Sequence, residues 1–502
     1  MRKNIISIGC LLALLSAPSC SDDFLKVDSP DKLLVDEYYS TESRIFEALV
    51  AAYDPLQWFD WGMGEYNPLN VMSDIMADDV WVGGSDKTDN QPWHLMMNYE
   101  ALPNAVISGL WIEAYSGINR SNNVLQYMGG VKNISEKNKA LYLAEAQVLR
   151  SYYYNILWKF WGNVPYYATN LEFPYITGQN TADEVYDFVV NDLEDAIENG
   201  GLPMVAESSK VGRVTKAMAY MLYAEVVMYQ NDESRFNKAL GFMEEIINSG
   251  QYALEEDFEK IFKAEGEWCS ESIWEINYKN EGAVRSWGAP LVAGGTVLPR
   301  LISPKDWKDG DDERDNGWGF EPVRAEAYEM YAEGDIRREG TIYDGRAHKY
   351  TERYQNTGFF LNKYMARTGY NANQLADADL NFGNNLRIYR FSETLLNAAE
   401  LLVRGASGSG SAADYLNRVH HRAGLTDVVA PSLENILQER RLEFVGEGKR
   451  YWDLIRTGKA ASVLVPDAYG YRTNSWTANK KYLPIPQTEI DASQNTLTQN
   501  NY

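Results

Sequence analysis

The 502-residue sequence predicts a mostly α-helical protein, in which a scaffold of tetratricopeptide-like helix pairs carries a large irregular region. Three observations predict it. Apolar residues recur at three- and four-residue intervals over about residues 37–57, 100–250 and 386–502. An Ala-Glu pair returns one turn after a Leu or Met at Ala144-Glu145, Ala224-Glu225 and Ala399-Glu400. Small residues at such points let two helices approach closely. Finally, about residues 58–99 and 251–385, rich in Gly, Asp, Asn, Trp and Tyr, break the helical period.

The first element is not part of the fold. Arg2 and Lys3 precede an apolar run from Ile5 to Leu15, too short to span a bilayer, and Ser16-Ala17-Pro18-Ser19 leads to Cys20. Residues 1–19 read as an export signal. A small residue before Cys20 resembles the bacterial lipobox, in which cleavage leaves an acylated cysteine as the first residue, although Ala17 and Pro18 depart from its tightest form. Cys10 leaves with the signal and Cys20 takes the lipid, so Cys269 is the one remaining thiol and no intrachain disulfide is expected. Residues 20–36 lack periodicity and read as a tether, with a single domain over 37–502.

The helices follow in order. Ile45, Leu49, Ala52 and Leu56 mark one face of the first, with Thr41 or Ser43 as its cap. Ser135 to Trp161 is the most regular stretch, ended by Gly162 and Pro165, and Thr181 to Asn199 follows. Thr215–Tyr229 and Ser234–Asn248 read as an antiparallel pair, as do Ser392–Arg404 and Ser411–Arg422 around the linker Gly405–Gly410. A last helix spans Leu433–Phe444, and Ser272–Ile276 reads as a short strand.

Charge narrows the function. With 71 acidic against 47 basic residues the net charge is −24, and losing the two cations of the signal makes it −26. Such a surface repels phosphate backbones and anionic headgroups, so nucleic acid is excluded as a partner. Motifs for serine hydrolases, zinc proteases, P-loops and dinucleotide binding are missing, and no cofactor is implied. Of the four histidines, adjacent His420 and His421 do not share a helix face, so no metal is assigned to them. Asp309–Asp315 offers oxygen ligands but lacks the Gly and Glu of a calcium loop, and reads as a solvated acidic turn.

What remains is aromatic. Trp, Tyr and Phe make up 13% of the chain. A pyranose lies with its axial C–H groups flat on an indole or phenol while its hydroxyls bond to polar groups at the rim. Trp81, Trp93, Trp287 and Trp318 sit in the irregular stretches beside Gly, Asp or Asn, and are the expected carbohydrate-binding residues. Trp111, Trp158, Trp161 and Trp274 lie in regular elements and are expected in the core.

Gln438–Gly458, Tyr482–Asp491 and Leu497–Asn500 resemble the signature segments of the SusD/RagB family of outer-membrane lipoproteins. Arg387–Glu400 resembles that family's entry to a tetratricopeptide helix, and Glu333–Arg337 its acidic turn. Ser21-Asp22-Asp23 resembles the acidic tag of surface-exposed lipoproteins in the Bacteroidetes. The resemblance implies a non-enzymatic protein, lipid-anchored on the outer face of the outer membrane. Such a protein captures glycan, or in some members peptide, and delivers it to a SusC-type TonB-dependent transporter. An exported glycosidase is the third reading. The Gln438–Gly458 motif also has a plain physical reading: Glu439, Arg440, Arg441 and Glu443 support one another along the helix while Leu442, Phe444 and Trp452 face inward.

Overall fold

The computed structural model describes residues 35–62, 64–308 and 313–502. The leader, Cys20 and the tether up to residue 34 lie outside the described residues, as do residues 309–312 of the acidic turn. Among the described residues, nine helices of more than ten residues form the frame. They are α1 (Glu42–Tyr53), α2 (Gly109–Tyr127), α3 (Glu136–Trp161), α4 (Ala182–Asn199), α5 (Lys216–Gln230), α6 (Phe236–Asn248), α7 (Phe391–Val403), α8 (Ala412–Arg422) and α9 (Leu433–Phe444).

Their boundaries are set by side chains that satisfy the first free amides. Thr41, not Ser43, caps α1, and Ser135, Thr215, Ser411 and Ser432 cap α3, α5, α8 and α9. Thr181 and Glu184 cap α4 reciprocally. At the other end, α3 stops at Gly162 and α5 at Asn231, both in the positive-φ region. The helix α2 lacks a polar cap of its own. Instead Glu65, from the preceding irregular stretch, accepts from the amides of Ser108 and Gly109 at 2.8 and 2.9 Å.

Each helix packs on the next: α1 on α2, α2 on α3, α3 on α4, α4 on α5 and α5 on α6. The stack then continues from α6 directly to α7, which carries α8 and α9. Residues 249–390 leave the stack and return to the place they left. A two-stranded ribbon ties their ends, β1 (Ser272–Ile276) pairing antiparallel with Leu386–Arg390. A second small ribbon joins Ile342–Asp344 to Phe359–Leu361. Residues 386–390 had been expected to open the helical scaffold. They are extended instead, because their partner strand lies more than a hundred residues upstream, where no local period registers it. The stretch 58–99 likewise holds two short helices, Leu69–Asp74 and Gln91–Met97.

The repeated Ala-Glu pairs have a common logic. Ala144, Ala224 and Ala399 are buried at helix contacts. Each following glutamate is a docking point: Glu145 binds Tyr53 and Arg213, Glu225 binds Lys159 and Tyr389, and Glu400 binds Arg456. The α9 charges behave the same way, pairing outward rather than along the helix. Arg440 bonds Asp453, Arg441 bonds Asp79, and Glu439 meets Arg337 and His420. Glu443 meets Arg337, Arg390 and Arg422. Asp335, in the acidic turn Glu333–Arg337, completes the network against Arg337 at 2.8 Å. A buried cluster of this kind makes each partner costly to remove, since the charge left behind has no water to face.

A platform of four aromatic rings as the candidate functional site

Two segments far apart in sequence meet at the surface. Asp60 follows the 3₁₀ turn after α1, and its carboxylate pairs with the fully buried Arg285 at 2.8 Å. The same carboxylate accepts from the Val297 amide at 2.6 Å. The Arg285 guanidinium also donates to the carbonyls of Trp61, Pro290 and Gly295. One arginine thus fixes the 58–66 loop against the 285–297 loop. Trp58 adds a bond between its indole N–H and the Leu291 carbonyl, 3.1 Å.

This clamp assembles four rings. Trp287 stands edge-on to Trp61 (centroids 5.2 Å, 78°) and to Tyr66 (6.3 Å). It lies near-parallel to Trp318, at 6.2 Å and 27°. Tyr66 touches both Trp61 (4.6 Å) and Trp318 (5.7 Å). Trp287 is 39% exposed, while Trp61, Tyr66 and Trp318 are half-buried. Backbone bonds hold the outer rings, from the Trp287 amide to Asp377 (3.0 Å) and from the Trp318 amide to the Arg300 carbonyl (2.8 Å). Burial pushes the Tyr66 phenol up to about 12, and the charges of Asp379 and Asp89 add to the shift. Asp379 is itself paired with Arg300 at 2.7 Å, and Asp89 accepts from the Ser85 amide at 2.8 Å. Flat ring faces suit a neutral polyhydroxy ligand.

Of the four expected tryptophans, only Trp287 and Trp318 belong to this platform. Trp81 and Trp93 were expected at the surface, and each is only 1% exposed. Their polar neighbours misled. Asp78 and Asp79, beside Trp81, are not solvated but paired to Arg450 and Arg441. Residues 80–83 bridge to 320–323, which turns the Trp81 ring inward beneath the Arg324 guanidinium (3.8 Å). Trp93 lies within the short helix Gln91–Met97 and packs on Phe320. Its indole N–H donates to the Tyr66 carbonyl at 3.0 Å, so it positions the platform from below. Trp61 and Tyr66 were not singled out from sequence, although the glycine-punctuated run Trp58–Tyr66 is the signal that could have marked them. Trp111, Trp158, Trp161 and Trp274 are core residues, as expected.

Two clefts of about 660 and 760 Å³ lie away from the rings. The larger is lined by Arg120 and Arg213, both already paired, to Asp54 and Glu145. No group of acidic, histidine or cysteine side chains among the described residues is arranged to hold a metal ion, and no helix there is long and apolar enough to cross a membrane.

The model of the SusD family matches residues 205–502, and that of a family described as starch-binding and associating with the outer membrane matches residues 23–228. Surface glycan-binding protein A from Bacteroides thetaiotaomicron, solved in complex with laminarihexaose, is 60% identical, with a TM-score of 0.90 over 92% of this chain and 100% of that one. The protein of the same name from Bacteroides uniformis is 49% identical, with a TM-score of 0.84 over 92% and 99% of the two chains. SusD-like protein P25 of Formosa agariphila is 26% identical, covering 100% of this chain and 99% of its own.

Proposed function

The chain belongs to the SusD family, and on that premise we propose that it is a surface glycan-binding lipoprotein whose ligand is a laminarin-type β-glucan. The observation that carries the reading is the four-ring platform, built from the two irregular stretches and open to solvent at Trp287. The relative solved with laminarihexaose supports the choice of sugar. Binding occurs without turnover, and the captured chain passes to a SusC-type TonB-dependent transporter. The helices act as tetratricopeptide-like pairs, and residues 37–502 form one domain. Cleavage before Cys20 leaves an acylated N-terminus that holds this domain on the outer face of the outer membrane through the tether of residues 20–36, with each buried CH₂ contributing roughly 0.8 kcal/mol. Cys20→Ala is expected to release the protein from the membrane fraction, as fractionation of cells lacking the transporter would show.

Each oriented stack contributes about 0.5–1.5 kcal/mol beyond area burial, and a shallow platform offers few of them. After the cost of association the net falls at about −4 to −8 kcal/mol, millimolar to micromolar, which suits a ligand that must be handed on. Calorimetry with laminarihexaose on Trp287→Ala and Trp318→Ala tests the site. Each variant should weaken binding about threefold to tenfold or more while melting like the parent. Unchanged affinity in both would sink the platform as the site. Binding of a peptide library in preference to glucan would favour peptide capture, and release of glucose would make the protein a glycosidase.

A further inference from the structure

The cleft of about 660 Å³ lies between the start of α2, residues 165–177 and the chain near the C-terminus, and its size is that of a small-ligand pocket. We propose that it is a second binding site, separate from the platform, for a neutral pyranose of the same glucan. The proposal rests on the glycan reading above. Its walls are rings: the half-buried Tyr115 and Tyr167 lie near-parallel, at 5.9 Å and 14°, and the buried Trp111 backs Tyr115 at 5.1 Å. The Tyr115 hydroxyl is spent on the Pro165 carbonyl, 2.8 Å, so that ring offers a face rather than a donor. Tyr175 stands at the mouth, 68% exposed, at a φ of 62° that a non-glycine residue rarely adopts.

The polar lining fixes the ligand's character. No Lys, Arg or His borders the cleft. The Asn170 amide nitrogen is held by the Asn119 carbonyl (2.9 Å) and by Asn123 (2.7 Å), which leaves its Oδ1 buried and unpartnered. The Glu489 carboxylate is half-buried beside Trp111, and burial raises its pKa. Both groups accept hydrogen bonds. A ligand that donates several, carries no negative charge and presents a flat apolar face answers this lining, and a pyranose does all three. Glu65 from the platform loop caps the helix that carries Trp111, so both sites hang on one helix end. One polysaccharide chain engaging both would gain through effective concentration.

Saturation-transfer NMR with laminarihexaose on the mature chain tests this. In Trp287→Ala/Trp318→Ala the platform is removed, and weaker transfer to the sugar should persist. Adding Tyr175→Ala or Glu489→Gln should cut that residual signal at least about fivefold. Tyr175→Ala alone should leave hexasaccharide affinity at the platform unchanged but lower retention by laminarin in affinity electrophoresis about fivefold or more. No residual transfer in the platform variant, or a residual untouched by both cleft substitutions, overturns the second site while the platform reading stands. A parent protein that binds no glucan at all would instead remove the glycan reading itself.

Discussion

At the level of single residues, Trp81 and Trp93 are alike in sequence and differ in what they hold. Trp93 reaches the platform through one bond, from its indole N–H to the Tyr66 carbonyl. Trp93→Phe keeps most of the packing on Phe320 and deletes that donor, which costs about 1 kcal/mol of stability. Affinity for laminarihexaose should fall about threefold to tenfold because Tyr66 loses its fixed place. Trp81 touches Tyr469, Tyr471 and Arg324 but no platform ring. Trp81→Phe should therefore lower the melting temperature and leave affinity unchanged. Calorimetry and thermal melts on both variants check the contrast, and equal affinity losses would refute it. The pair also shows why the platform was only partly legible. Composition marked its loops and two of its rings, Trp287 and Trp318. Whether a tryptophan beside Asp is solvated depends on whether an arginine from another element claims that Asp, as Arg441 and Arg450 do.

At the level of elements, helix limits were legible because their determinants are local. Thr181 with Glu184, and Gly162 after Trp161, can be read in place. The Leu386–Arg390 strand was not, since it is defined by pairing with Ser272–Ile276. The same junction carries a titration. The Glu267 carboxyl accepts from the Asn385 amide at 2.9 Å, and burial pushes its pKa from 4.5 up to about 7 despite that bond. In the unfolded chain the group ionises near its ordinary value, so between about pH 4.5 and 7 the folded state holds the extra proton. Its contribution to stability is full below that window and declines as pH rises through it. Glu267→Gln keeps an acceptor for Asn385 and removes the titration. Melting temperatures measured across that window should fall less steeply in the variant than in the parent, and parallel profiles would show that Glu267 is not the cause.

For the molecule as a whole, charge and binding are separate matters. The net charge of −24 acts on other macromolecules, whereas a neutral glucan gains and loses nothing from it. Raising the ionic strength from about 0.05 to 0.5 M, which shortens the screening length severalfold, should leave the laminarihexaose affinity nearly constant. A steep loss with salt would show that charged groups of the protein, not ring stacking, dominate the binding. The overall architecture was legible because a helix stack repeats its own signals, while the platform joins chain segments that share none. That junction has a consequence for how the protein comes of age. Asp60 and Arg285 are 225 residues apart, and neither loop has its partner until the second has been made and moved to its place. A chain synthesised and exported from its N-terminus presents Trp61 and Tyr66 long before Trp287 and Trp318 arrive. On the proposed site, sugar binding begins late, as a certificate of completed folding, and a truncated or stalled chain on the cell surface would compete for no nutrient.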